Sequence, residues 1–119
     1  MTFKIGENQV LKVDIGPIIA GGNGDNLIKN EELVGECVKT ERKEYFEIVF
    51  IGILEEFRSN GYGTIFVRKY EDMAKARGCN KMIAKCEKSN KRGINFWEKH
   101  VGWTKGECVE DHWVFYKDL

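Results

Sequence analysis

One junction in the sequence restricts the fold more than any other. Glu44 to Leu54 is an almost continuous β-branched and aromatic run, apolar on both faces, and it leads into Arg58-Ser59-Asn60-Gly61-Tyr62-Gly63. A helix-period pattern comes immediately after. Ile65, Phe66, Tyr70, Met73 and Ala74 form its apolar face, and Arg68, Glu71, Asp72 and Lys75 its polar one. A strand with two apolar faces must be covered on both sides, so it belongs at the centre of a sheet. A central strand joined to an amphipathic helix by a tight glycine turn is an α/β unit.

The remaining elements arrange themselves around this unit. Phe3 to Ile19 alternates weakly and reads as a hairpin turning at Gly6-Glu7-Asn8. Pro17 precedes Gly21 to Asn26, whose glycines and asparagines read as a loop, with room for at most one short helix near Asn26–Glu31. Leu33 to Thr40 and Glu44 to Leu54 are strands flanking the charged turn Glu41-Arg42-Lys43. Gly78 sits where a helix C-terminus wants a left-handed residue. Lys81 to Glu87 is a short strand. Ser89 or Asn90 can cap a second helix that carries Ile94, Trp97 and Val101, and Trp103–Cys108 with His112–Lys117 closes the sheet as an antiparallel pair. The expected order is β-β-β-β-α-β-α-β-β, an α/β (α+β) fold with a mixed sheet. At 119 residues, without linker or repeat, residues 1–119 are expected to form one domain.

Composition excludes several classes. Nineteen basic residues balance nineteen acidic ones, which argues against a generic nucleic-acid partner. The longest apolar stretch, Ile48 to Leu54, is far short of a membrane span, and the first residues lack a signal-peptide pattern. Cys37, Cys79, Cys86 and Cys108 form no C-x-x-C pair and have no histidine at ligand spacing, so neither a metal nor a disulfide framework is expected. Reduced thiols fit a cytoplasmic protein. Charge is nonetheless uneven. Residues 31–56 hold eight acids against three bases, net −5, and residues 77–105 hold eight bases against two acids, net +6. These are either two solvated faces or the two halves of a molecule that receives an anionic and a cationic ligand.

The turn itself suits an anion. Residues Arg58 to Thr64 present backbone N–H groups at a helix N-terminus, where the dipole adds about half a positive charge. Gly61 and Gly63 permit close approach and positive φ. No Gly-Lys-Ser/Thr comes next, so this is not a Walker loop, and Phe66 breaks G-x-G-x-x-G. Alone, the pattern is weak and is more often that of a plain glycine-rich turn.

Arg58-x-x-Gly61-x-Gly63, Asn90-x-x-Gly93, Phe96-Trp97-Glu98-Lys99 and Gly102-Trp103, in that order, resemble the GNAT superfamily of acyl-CoA N-acyltransferases over about residues 33–117. Glu47-Ile48-Val49-Phe50, eleven residues before Arg58, is similar to a stretch of the histone-type lysine acetyltransferases of that superfamily. The resemblance implies a sheet whose two central parallel strands splay. It also implies an acetyltransferase using acetyl-CoA as acyl donor, without metal. The coenzyme A pyrophosphate would be held by the backbones of Arg58, Ser59, Asn60, Gly61, Tyr62, Gly63 and Thr64. Main-chain groups near Ile51 and Ile53 would meet the pantetheine arm and acyl carbonyl, Asn90 would meet the pantetheine, and Lys91 and Arg92 would reach the 3′-phosphate. Trp97 occupies the place of a tyrosine that in many members protonates the leaving thiolate, a step indole cannot perform.

The same resemblance makes Glu47 the candidate general base, for an acceptor that is a small-molecule amine or a protein or peptide amine. By simple alternation Glu47 shares a face with Val49, Ile51 and Ile53, about 13 Å from Ile51 at 3.3 Å per residue. A lysine amine, with pKa about 10.4, is mostly protonated at neutral pH and needs such a base. Cys86 lacks an activating histidine and is not expected to be acylated. The segment from Pro17 to Glu32 is shorter than the helical front of most members. The acceptor side is therefore expected to be open, or completed by a second subunit in a homodimer. A non-catalytic acyl-CoA-binding domain is the alternative.

Overall fold

Nonlocal strand pairing organises the chain around the central strand. The computed structural model describes residues 2–6, 9–19, 22–29 and 32–119, with side chains at 25–28 and 32–119. In chain order the elements are β1 (Thr2–Gly6), β2 (Gln9–Ile19), β3 (Gly22–Lys29), β4 (Glu32–Glu41) and β5 (Tyr45–Ile53). A single 3₁₀ turn (Glu55–Phe57) leads to α1 (Tyr62–Ala76), β6 (Lys81–Glu87) and α2 (Lys91–Asn95). A π-helical stretch (Phe96–Val101) continues α2 before β7 (Thr104–Val109) and β8 (His112–Asp118). The strands form one sheet in the order β1-β2-β3-β4-β5-β6-β8-β7. Every neighbouring pair is antiparallel except β5 and β6, which are parallel and joined through α1. This is the mixed sheet the sequence suggests. No helix among the described residues is long and apolar enough to cross a membrane.

The front of the chain departs from expectation. Gly22–Lys29 is a strand paired with both β2 and β4, where the glycines and asparagines suggest a loop or short helix. Asp25 and Leu27 are buried and Asn26 between them is exposed, a period-two pattern hidden by the polarity of its buried member. The core accommodates Asp25 because Lys39 Nζ and Tyr70 Oη both donate to Oδ2, at 2.7 and 2.5 Å. These bonds tie β3 and β4 to α1. Beside them, burial pushes the Cys37 thiol up to about 12. The hairpin of β1 and β2 forms. Glu7 and Asn8 of its expected turn lie outside the described residues, as do Gly21 of the expected loop and Asn30 and Glu31 of the expected helix.

The two helices cover one face of the sheet. Phe46 and Ile48 of β5, Met82 and Ala84 of β6, and Phe115 of β8 pack there against Phe66, Val67, Tyr70 and Ala74 of α1 and against Trp97 and Val101. Each of the large apolar side chains buried there contributes about 1.5–3 kcal/mol. Gly78, at φ +80°, comes just after the end of α1, as its spacing suggests.

Two irregularities open the sheet at β5. β5 and β6 pair only from Tyr45–Lys81 to Ile48–Ala84, after which the strands part. Val38 is opposite Phe50 and Lys39 is opposite Ile48, so Val49 is an extra residue, a β-bulge. Phe46 and Ile48 face the helices before the bulge, and Ile51 and Ile53 pack on the same core after it. The bulge therefore reverses the alternation. Glu47, Phe50 and Gly52 share the other face, and Glu47 does not share one with Ile51 and Ile53 as simple alternation suggests.

Candidate active site

Where β5 and β6 part, a cleft of about 1040 Å³ opens and runs to the N-terminus of α1. Such a volume accepts a large ligand. Its walls include Ile51, Ile53, Arg58, Ser59, Gly61, Tyr62, Gly63, Thr64, Asn90 and Trp97, residues scattered over forty-seven positions of sequence and brought together by the crossover through α1. Asn60 and Glu47 are not among them. Asn60 instead closes the turn by donating through Nδ2 to the carbonyls of Phe57 and Arg58, at 3.1 and 3.2 Å.

The helix end is built without a cap. Gly61, at φ +78°, is the N-cap residue of α1, no side chain caps the helix there, and its first turn has no acidic residue. Most helix N-termini carry Ser, Thr, Asp or Asn at this place. The positive end of the dipole and the amides of Gly63 and Thr64 are left to meet an anion. The two glycines have different tasks. A Cβ on Gly61 would meet nothing within 4 Å, so this position needs glycine for its φ and keeps open space before the helix. A Cβ on Gly63 would fall 2.9 Å from Cε1 of Phe96, so its missing side chain makes room for packing between α1 and the π-helical stretch rather than for a ligand. Ser59 also takes a positive φ, +67°. Arg58 turns back along the strand and donates from Nε to the carbonyl of Ile53 at 2.8 Å, which fixes the turn to the end of β5.

The far wall comes from the second helix. Asn90 Oδ1 accepts from the amide of Gly93 at 2.9 Å, so Asn90 caps α2, as its spacing suggests, while also lining the cleft. Trp97 is nearly buried. It stacks at 4.7 Å on Trp103 and presents an edge of the cleft wall. Arg92 lines the cleft and Lys91 does not. Cys86 lines it as well, but burial, with Glu87 second, pushes its thiol up, which disfavours the thiolate a nucleophile needs.

Several lining residues escaped sequence reasoning. Lys85 and His112 reach the cleft because β6 and β8 pair with Glu87 opposite His112, a nonlocal contact with no local signal, and His100 reaches it from the π-helical stretch that carries Trp97. Val49 and Phe50 are 44% and 52% exposed, in a strand whose composition suggests burial on both faces. Glu47 lies beside this region, near the end of the β5–β6 pairing, opposite Thr40 and Ile83. It is half-buried, and its carboxylate makes no hydrogen bond or ion pair among the described residues. A second, smaller cavity of about 290 Å³ lies beside Arg68, Gly102 and Lys117, where Arg68 is occupied by Glu71 and the Val101 carbonyl and Lys117 by Glu71. No group of three or more His, Cys, Asp or Glu among the described residues is placed to hold a metal ion.

Known proteins share this fold. A GNAT family acetyltransferase from Elizabethkingia anophelis with acetyl-CoA bound superposes with a TM-score of 0.76 at 16% identity, over 96% of this chain and 100% of the other. An acetyltransferase of Bacillus subtilis in complex with CoA gives 0.72 at 18% identity, over 92% and 99%. An N-acetyltransferase from Thermoplasma acidophilum in complex with coenzyme A gives 0.74 at 14% identity, over 81% of this chain and 60% of the other. No curated protein matches the chain. The family model for the acetyltransferase (GNAT) family matches residues 20–103, a span that contains the central strand, the glycine turn, both helices and every residue named on the cleft walls except His112. The chain is a member of the GNAT family of acetyltransferases.

Proposed function

We propose that this protein transfers an acetyl group from acetyl-CoA to a primary amine by direct attack, with residues 1–119 acting as one catalytic unit in the cytoplasm. The observation that carries the reading is the continuity of one cleft from the uncapped N-terminus of α1 to the parting of β5 and β6. A pyrophosphate suits the amides from Ser59 to Thr64, that of Arg58 being held by the Glu55 carbonyl, and Arg92 is available to a further phosphate. The thioester would lie between Ile51, Ile53 and Trp97, where a main-chain amide of the parted strand can polarise the carbonyl.

The neutral amine attacks the thioester carbon and forms the C–N bond. The tetrahedral intermediate collapses with cleavage of the C–S bond, and coenzyme A leaves as a thiolate. Glu47, through water, takes the first proton, the one the ammonium must lose before attack; the nitrogen gives up its second proton to solvent water as the amide forms, and the thiolate receives a proton from the same solvent. Trp97 can pack against the thioester but has no proton to give. The bound structures of the similar proteins support acetyl-CoA as donor. The test is release of coenzyme A thiol from acetyl-CoA over a panel of amines and lysine-containing peptides. Amine-dependent release supports the reading, and binding of acetyl-CoA without release under any amine favours a non-catalytic acyl-CoA-binding domain.

A further inference from the structure

We infer that Phe50 is the acceptor seat: its ring, flanked by Glu47 and Glu36, holds the ammonium group of a primary alkylamine at the mouth of the cleft. The inference deepens the amine-transfer reading and rests on it for the identity of the cleft. It begins with the bulge at Val49. Glu47 is opposite Thr40 and Phe50 is opposite Val38, so the two residues stand only two steps apart on the neighbouring strand. That is about 7 Å at 3.4 Å per residue, on the face that the helices leave uncovered. Gly52 is opposite Glu36 on the same face.

Gly52 explains the pose of the ring. A Cβ there would fall 2.7 Å from Cζ of Phe50, so the ring lies along the strand over the glycine and thus beside Glu36. The result is an aromatic surface, 52% exposed, that also lines the cleft shared by Ile51, Ile53 and the glycine turn. A large exposed aromatic at the centre of a sheet is a poor stabiliser of the free protein and a good receiver of a cation. The chain segment that supplies both strands agrees in sign, since residues 31–56 carry net −5, while Arg58, Lys85 and Arg92 line other parts of the cleft. A primary ammonium on an apolar stem fits all three features. The stem covers Val49 and Phe50, the charge lies over the ring, and its N–H groups reach a carboxylate on either side. Such a cation is held next to Glu47, the group proposed to take its proton.

The test uses the full chain loaded with coenzyme A, which carries no acyl group to transfer. Butylammonium and its neutral counterpart butanol are titrated and followed by NMR shifts of residues around Phe50. Wild type is expected to bind butylammonium tighter than butanol. Phe50→Ala should weaken butylammonium by roughly three- to thirtyfold, the range of a cation over an aromatic ring, and Phe50→Tyr should keep it within about twofold. Gly52→Ala, which displaces the ring, should weaken it as well. Tighter binding of an Nα-acetylated lysine amide than of butylammonium assigns the seat to lysyl side chains, and the reverse assigns it to free alkylamines. Equal butylammonium affinity in wild type and folded Phe50→Ala, or no preference over butanol, overturns the inference. Phe50-dependent binding without any acetyl transfer from acetyl-CoA refutes the amine-transfer reading and leaves the ammonium seat standing.

Discussion

Gly63 and Phe96 touch across the two helices of the cleft: the hydrogen that Gly63 carries in place of a side chain faces the ring edge of Phe96, and a Cβ would come within 2.9 Å of it. Gly61, two residues earlier, faces open space. The two glycines of one motif therefore fail differently when replaced. Gly61→Val places a β-branched residue at φ +78°, at a cost of about 1–2 kcal/mol, and fills the approach to the helix end. It should remain folded and lose most of its affinity for acetyl-CoA by calorimetry. Gly63→Val should instead lose thermal stability by a larger margin, because Phe96 must move. Wild-type affinity in a folded Gly61→Val protein contradicts the assignment of the turn to the phosphates.

The thiols sort by burial. All four cysteines are free, and only Cys108 is exposed. Burial pushes Cys37 up to about 12 and also raises Cys86, so both are thiols at neutral pH. Iodoacetamide on the native protein should modify Cys108 first, with Cys37 and Cys86 reacting only on unfolding. Mass spectrometry after incubation with acetyl-CoA alone should find Cys86 unmodified. A stoichiometric, hydrolysable acetyl adduct on Cys86 contradicts direct transfer.

Glu71 fastens α1 to the closing strands. Burial pushes its carboxyl up, but hydrogen bonds from Lys117 Nζ at 2.8 Å and Trp103 Nε1 at 2.9 Å, with the Arg68 guanidinium, outweigh burial and hold it below the ordinary 4.5. A depressed carboxyl stabilises the fold above its unfolded pKa, and that contribution disappears as pH falls through the lower folded value. Glu71→Gln should cost about 1–3 kcal/mol at pH 7, since Lys117 and Arg68 are partly exposed and regain water. In denaturant titrations the gap from wild type should close as pH drops below 4.5. A gap that stays constant to about pH 3 contradicts an ionic role.

Glu47→Gln should lower turnover by about 10²–10⁴, the usual contribution of a general base, and leave acetyl-CoA affinity nearly intact. The loss should be greatest at neutral pH and shrink as pH approaches the pKa of the amine, because free amine needs no base. A variant with wild-type turnover at pH 7 makes Glu47 a structural carboxylate.

Much of the fold was legible because its signals are local. The strand-to-helix junction, the cap at Asn90 and the left-handed Gly78 each announce themselves within a few residues. What escaped depends on pairing at a distance. β3 is recognisable only once Lys39 and Tyr70 are known to hold Asp25 through Oδ2. The exposure of Phe50 depends on the bulge at Val49, which nothing in Glu47-Ile48-Val49-Phe50 marks. The same bulge undid the face assigned to Glu47, since one inserted residue reverses every side chain beyond it. Ten of the twelve candidate site residues line the cleft: six belong to the locally encoded turn, and Ile51, Ile53, Asn90 and Trp97 are brought to it by the crossover through α1.

The most direct measurement tracks both products at once. Wild-type protein is incubated with acetyl-CoA and the best amine found, and free coenzyme A and N-acetylated amine are quantified over the same time course. The account predicts that the two accumulate in equal amounts, that neither exceeds the enzyme-free rate when the amine is omitted, and that both slow together in Gly61→Val. Coenzyme A released at the same rate with and without amine, or no acetylated amine from a protein that demonstrably binds acetyl-CoA, contradicts it.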